Sequence, residues 1–129
     1  MKPAQILEFL KQQVRLFGPF SDEQLERLVK DSRVASCEAQ EAIARQGDEA
    51  THFGVVLSGT MTASSLGAGN ARQILGELKA GDTFGEAALM TGNPLLADFI
   101  AATRCEVLLI PVSLFQSVIV AEPSAVQHI

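Results

Sequence analysis

Residues 81–89 of the sequence read GDTFGEAAL, and residues 94–97 read PLLA after a Gly-Asn turn signal at 92–93. This spacing predicts a tight turn, a short strand ending in Phe84-Gly85, and one helical turn over residues 86–90. Glycine permits a close approach of the backbone, and the free N–H groups of such a turn suit a phosphate. A carboxylate at Glu86 can accept hydrogen bonds from a hydroxyl group. A glutamate in a first helical turn is also commonplace, so the flanking sequence has to decide between the two interpretations.

Helices are predicted before this region, over about residues 3–31. Pro3 stands near the start of the first helix, and Ser21 with Gln24 forms a capping box at the start of the second. Apolar residues recur at helical spacing in both segments: Ile6, Leu7, Leu10 and Val14 in the first, and Leu25, Leu28 and Val29 in the second. A break separates them at residues 17–20.

Short β segments are predicted from about residue 33 to residue 110. Turn signals divide them at residues 47–48, 67–70, 81–82 and 92–94. Phe53, Val55 and Leu57 alternate with the residues between them, while 107–110 is a continuous apolar run suited to a strand covered on both faces. The predicted fold class is mainly β, an antiparallel, jelly-roll-like β-roll with N-terminal and C-terminal helices. Helical spacing returns after Pro111, and residues 122–124 can open a further helix.

Three segments together carry a resemblance to a known family: GD at 47–48, HFGVVLSG at 52–59 and LKAGDTFGEAAL at 78–89. In this order and approximate spacing they resemble the cyclic nucleotide-binding domain family. That family includes catabolite activator proteins, regulatory subunits of cyclic-nucleotide-dependent kinases and cyclic-nucleotide-gated channels. The resemblance implies one such domain over residues 1–129, with the C-terminal helices over 112–129 and a truncated lid or hinge helix.

The resemblance also implies a ligand site. The family's phosphate-binding cassette runs from a Phe-Gly-Glu segment to an Arg-Ser/Thr-Ala triplet. Glu86 would then receive the ribose 2′-hydroxyl, and the N–H groups of Ala87 and Ala88 would face the sugar-phosphate. Ala97 matches the alanine of the triplet, whereas Leu95 and Leu96 replace its arginine and its hydroxyl residue. The candidate ligand-binding residues are Phe84, Gly85, Glu86, Ala87, Ala88, Leu95, Leu96 and Ala97.

The two leucines determine the functional hypothesis. Losing a hydrogen bond to a charged group costs about 1.5–3 kcal/mol, which lowers affinity roughly 10- to 100-fold. Arg72 and Arg104 lie on predicted strands and are interpreted as surface charges, not as substitute cations. We therefore expect a regulatory or sensor domain with a degenerate cassette and weak or no cAMP or cGMP binding. The alternatives are a sensor of a less charged small ligand, or a functional cAMP-binding domain of a larger signalling protein.

Composition excludes several other classes of protein. A net charge of −5 and scattered basic residues argue against nucleic-acid binding. The two histidines, His52 and His128, are too few for a metal-dependent β-barrel enzyme, and no nucleophile and base stand at motif spacing. Cys37 and Cys105 are expected to be buried free thiols. No apolar run approaches the roughly 20 residues that span a bilayer, so a cytoplasmic location is expected. We expect no cofactor beyond a weakly bound cyclic nucleotide, a partner or output domain, and a monomer or weak homodimer.

Overall fold

The computed structural model describes residues 1–120, except for the side chain of Ala68. The α-helices are α1 (Pro3–Gln13), α2 (Asp22–Lys30), α3 (Glu86–Thr91) and α4 (Val112–Leu114), and α4 continues into a π-helical turn at Phe115–Ile119. The strands are β1 (Arg33–Cys37), β2 (Ala42–Ala44), β3 (His52–Ser58), β4 (Met61–Leu66), β5 (Arg72–Leu78), β6 (Thr83–Phe84), β7 (Asp98–Ala101) and β8 (Cys105–Pro111). The helix predicted to begin near residues 122–124 lies outside the described residues.

The strands form two four-stranded sheets, in the orders β1-β8-β3-β6 and β2-β7-β4-β5. Every pairing in both sheets is antiparallel. This arrangement confirms the predicted mainly β fold with helices before and after the strands. The cassette segment joins the two sheets, because β6 pairs with β3 in one sheet and β7 pairs with β4 in the other.

The N-terminal helices begin and end where local sequence chemistry dictates. Ser21 Oγ accepts the Gln24 backbone N–H at 3.2 Å, and the Gln24 side chain accepts the Ser21 N–H at 2.9 Å, so the predicted capping box is formed. A single 3-10 turn, Arg15–Phe17, occupies the break between α1 and α2. These helices, together with α4, pack on one face of the first sheet, where the rings of Phe53 and Phe115 lie 5.1 Å apart.

Strands β3 and β8 are buried on both faces and divide the core into two clusters. The first cluster lies under the helices and takes Phe53, Val55, Leu57, Leu108 and Ile110 from these strands. The second cluster takes the alternate residues, which are Val56, Cys105, Val107 and Leu109. Successive side chains of a strand point to opposite faces, so a continuous apolar run serves both clusters. Within residues 1–120, no helix is long and apolar enough to cross a membrane.

Candidate ligand-binding site

A cavity of about 290 Å³ lies between α3 and the segment that leads into β7. All of the residues predicted from the cassette line it: Phe84, Gly85, Glu86, Ala87, Ala88, Leu95, Leu96 and Ala97. Sequence reasoning missed the other lining residues, which are Thr83, Thr91, Asn93, Pro94 and Phe99. The structure therefore brings the predicted residues together around one space, which sequence separation alone did not guarantee.

Close backbone packing holds the aromatic wall of this cavity. The Phe84 ring stacks on the Phe99 ring with 4.8 Å between centroids, and it lies directly over Gly54 of β3. A Cβ atom at Gly54 would sit 2.2 Å from Phe84 Cζ, so only glycine accommodates the ring there. Gly85 then adopts φ +90°, a conformation that glycine takes without steric cost, and α3 begins at the next residue.

The two leucines of the altered triplet have different environments. Leu95 is only 8% exposed, whereas Leu96 is 76% exposed. The backbone of Leu95 is fixed by hydrogen bonds with the turn after β2: its N–H donates to the Asp48 carbonyl at 2.9 Å, and its carbonyl accepts from the Gly47 N–H at 2.8 Å. The Leu95 side chain forms a wall of the cavity, where it offers no hydrogen bond and no charge.

Glu86 supplies the only charged side chain among the described residues that line this cavity. Its Oε2 atom is buried and has no hydrogen-bond partner within the part of the chain that the structure describes. A buried acceptor without a donor is costly, by about 1–3 kcal/mol. The cavity thus combines apolar walls with one carboxylate, of which the Oε2 atom is buried and unpartnered, and no cation is among its lining residues.

The two arginines considered as substitute cations are engaged elsewhere. Arg72 Nη1 donates to Asp98 Oδ2 at 2.9 Å and to Ser64 Oγ at 2.7 Å. Arg104 Nη1 donates to Glu38 Oε1. The expectation that Arg104 lies on a strand is wrong: it ends an exposed bend, residues 102–104, that precedes β8. Neither arginine is among the residues that line the cavity.

Asp98 follows the cassette and organises a polar cluster that we define as Gln46, Ser64, Arg72 and Asp98, in which Ser64 and Asp98 are buried. Its Oδ1 accepts the Gln46 N–H at 2.7 Å, and the Gln46 side chain accepts the Leu66 N–H at 2.9 Å. The hydrogen bond from Gln46 and the nearby Arg72 guanidinium hold the pKa of Asp98 below its ordinary value. The cluster links the turn after β2 to β4, β5 and β7. It therefore stabilises the strands next to the cassette without lining the cavity.

A second cavity, of about 190 Å³, lies beside the first and shares Phe84, Gly85 and Leu95 with it. Its other lining residues include the charged side chains of Arg33, Asp48 and Glu49. His52 also lines it, and burial together with Arg33 lowers the pKa of that imidazole. Leu95 therefore lies between a cavity lined by one carboxylate and a second cavity lined by side chains of both charges. Within residues 1–120, no group of acidic, histidine or cysteine side chains is arranged to hold a metal ion.

Solved structures similar to this chain include three that describe its fold. The regulatory domain of Toxoplasma gondii PKA, crystallised with cAMP, is 24% identical with a TM-score of 0.87 over 98% of this chain and 48% of that one. The sensor domain of the transcriptional regulator DNR from Pseudomonas aeruginosa is 20% identical with a TM-score of 0.88, over 98% and 84% of the two chains. The regulatory subunit of a cAMP-independent protein kinase A from Trypanosoma cruzi, bound to guanosine, is 17% identical with a TM-score of 0.83, over 98% and 48%.

The sequence comparisons give the family directly. No match was found among curated proteins. This chain spans about half the length of the Toxoplasma regulatory domain, at 48%. The family model of the cyclic nucleotide-binding domain matches residues 34–122, which is more than half of the chain and includes the whole cassette segment. Together with the two antiparallel sheets and the cassette geometry, this match shows that the chain belongs to the cyclic nucleotide-binding domain family.

Proposed function

We propose that this chain is a non-catalytic regulatory sensor domain, within a single unit over residues 1–129, whose cassette binds cAMP and cGMP weakly or not at all. The observation that carries the proposal is the uncharged side of the cavity at Leu95. A cyclic phosphate brings one negative charge, and removing it from water costs free energy that charge-assisted hydrogen bonds must offset. Here the wall is aliphatic, and Arg72 is already paired with Asp98.

The expected weakening follows from the missing hydrogen bonds. Those made to a charged group contribute about 1.5–3 kcal/mol, so the cyclic nucleotides should bind roughly 10- to 100-fold more weakly than to a cassette that contains the arginine. Calorimetric titration of the purified domain with cAMP and cGMP tests this. Heats too small to fit, or affinities weaker than micromolar, support the proposal. Micromolar or tighter binding by the unaltered chain contradicts it and supports a functional cAMP-binding domain instead.

A second candidate function is sensing of an uncharged ligand that carries hydroxyl groups. The buried, unpartnered Oε2 of Glu86 favours it, because a hydroxyl donor would satisfy that atom without bringing a second negative charge into the cavity. The apolar walls formed by Phe84, Leu95 and Phe99 suit a flat or aliphatic group. Guanosine, the ligand in the Trypanosoma cruzi structure, is a suitable probe because it has hydroxyls but no phosphate.

Titration with guanosine and adenosine separates the two candidates. Binding of a nucleoside that Glu86→Ala abolishes, with no binding of cAMP, supports the neutral-ligand function. Thr91→Ala serves as a matched control, because it changes another residue that lines the cavity without removing the buried acceptor. Equal losses in both variants would contradict a specific role for the carboxylate.

We propose that the signal reaches an output domain or partner protein, since the family is one of ligand-binding regulatory domains. We place the domain in the cytoplasm, as a monomer or weak homodimer without direct nucleic-acid binding. Size-exclusion chromatography with light scattering over a concentration series checks the oligomeric state. A stable dimer at all concentrations would contradict it.

A further inference from the structure

The two cysteines lie directly opposite each other on neighbouring strands. Cys37 is the last residue of β1 and Cys105 is the first of β8, and they form the final pair of that antiparallel ladder. Residues that face each other in this way have Cβ atoms about 4.5–5.5 Å apart, while a disulfide joins Cβ atoms about 3.5–4.5 Å apart. A small movement at a strand end therefore brings the two sulfur atoms within bonding distance.

Both side chains point into the second core cluster. Cys37 is 5% exposed and Cys105 is 1% exposed, and they share this cluster with Val56, Met61 and Phe84. Burial raises the pKa of each thiol, which leaves less of the reactive thiolate at neutral pH, and each thiol also acts on the pKa of the other. Because both side chains are buried, we expect an oxidant as small as hydrogen peroxide to reach them only when the strand end opens.

The end of the ladder is flanked by exposed residues. The next residue after Cys37 is Glu38, and the one before Cys105 is Arg104; these two side chains form an ion pair across the ladder and are 64% and 65% exposed. An exposed ion pair adds little stability. The bend at residues 102–104 is exposed as well, so separating the last pair of the ladder displaces the two buried thiols and an exposed bend that hydrogen bonds join to Thr60.

We propose that Cys37 and Cys105 form an oxidation site at which a peroxide converts the two thiols into a cross-strand disulfide. In the first step one sulfur attacks a peroxide oxygen, the O–O bond breaks, and a sulfenic acid and one water form. In the second step the other sulfur attacks the sulfenic sulfur, the S–S bond forms, the S–O bond breaks, and a second water leaves with the remaining proton. Two electrons pass from the thiols to hydrogen peroxide, and a dithiol reductant reverses the change.

The experiment treats the folded chain with hydrogen peroxide, alkylates the remaining thiols under denaturing conditions, and measures the intact mass and the peptide map. The expected product lacks two hydrogen atoms, takes up no alkylating reagent, and yields one peptide that links Cys37 to Cys105. Dithiothreitol should restore both thiols. Because the disulfide closes a long loop of the unfolded chain, we also expect the melting temperature to rise by roughly 5–15 °C.

A matched control moves one thiol to the other face of β1. The variant Cys37→Ala with Ser36→Cys keeps two thiols, but a strand residue one position along points away from Cys105. This variant should form no intramolecular disulfide under the same conditions. The proposal is overturned if the native chain retains two free thiols, gains oxygen atoms without a cross-link, or forms only intermolecular dimers. It is also overturned if the control variant cross-links as fast as the native chain. The peptide map of the native chain decides the matter even if the variant does not fold.

Discussion

Installing the missing cation in the cassette is the most direct perturbation of the proposed site. In the double variant Leu95→Arg with Leu96→Ser, the new guanidinium extends from a backbone position already fixed by the Gly47 N–H and the Asp48 carbonyl. The serine replaces a side chain that is 76% exposed, so it removes little from the core. Position 95 and Glu86 line the same cavity, so the variant places a cation and a carboxylate around one space.

The expected gain for cAMP is about 1.5–3 kcal/mol, which corresponds to a roughly 10- to 100-fold lower Kd. Isothermal titration at two ionic strengths measures it, and the gain should shrink as salt screens the phosphate. Leu95→Met is the matched control, because it changes the shape of the wall without adding charge and should leave cAMP affinity unchanged. If the double variant folds, as judged by its thermal melt, and binds cAMP no better than the native chain, the attribution of weak binding to Leu95 is refuted.

Three further perturbations follow from the contacts around the cavity. Gly54→Ala places a Cβ atom 2.2 Å from Phe84 Cζ and should destabilise the domain by about 1–3 kcal/mol in urea unfolding. The control is Gly76→Ala, which has open space around it and should change stability little. Equal effects of the two substitutions would contradict the close packing at Gly54. Asp98→Asn removes the charge that pairs with Arg72 and should cost about 1–3 kcal/mol at pH 7. Because the pKa of Asp98 is lowered in the fold, this carboxylate stabilises the folded state at pH values above its unfolded pKa, near 4, and the stabilisation is lost as the pH falls further. The stabilities of the native chain and the variant should therefore converge in acid. A constant difference in stability down to pH 2 would argue against this role of Asp98. Glu86→Gln should leave the melting temperature unchanged or slightly raised, since the carboxylate oxygen it replaces has no partner, and a marked fall would reveal a structural role for that charge.

Local sequence signals predicted the elements whose chemistry is short-range. The capping box at Ser21 and Gln24 and the Phe84-Gly85 turn depend on residues within a few positions of each other, so they could be inferred from spacing alone. The buried run at residues 107–110 was equally clear, because only a strand covered on both faces accommodates four consecutive apolar residues in this context. The β-roll and the cassette were predicted from the order of several sequence segments, none of which is specific alone.

The features that the sequence did not predict depend on contacts between residues far apart in the chain. Arg72 and Asp98 stand 26 positions apart, and nothing in their local sequence indicates that both strands pair with β4 and so bring the two side chains together. The prediction that Arg104 lies on a strand is wrong because Arg104 is the last residue of an exposed bend, and β8 begins at the next residue. Phe99 could have been recognised as part of the cavity, because it lies two residues beyond Ala97 and therefore on the same side of an extended chain.

The anchoring of Leu95 to the turn after β2 has an evolutionary consequence. Both hydrogen bonds use main-chain atoms, so every residue except proline can keep them at position 95. A single substitution at position 95 can therefore change the chemistry of the cavity wall while the backbone around it stays the same. The main-chain anchor and the ligand preference of this wall are therefore independent properties of the fold.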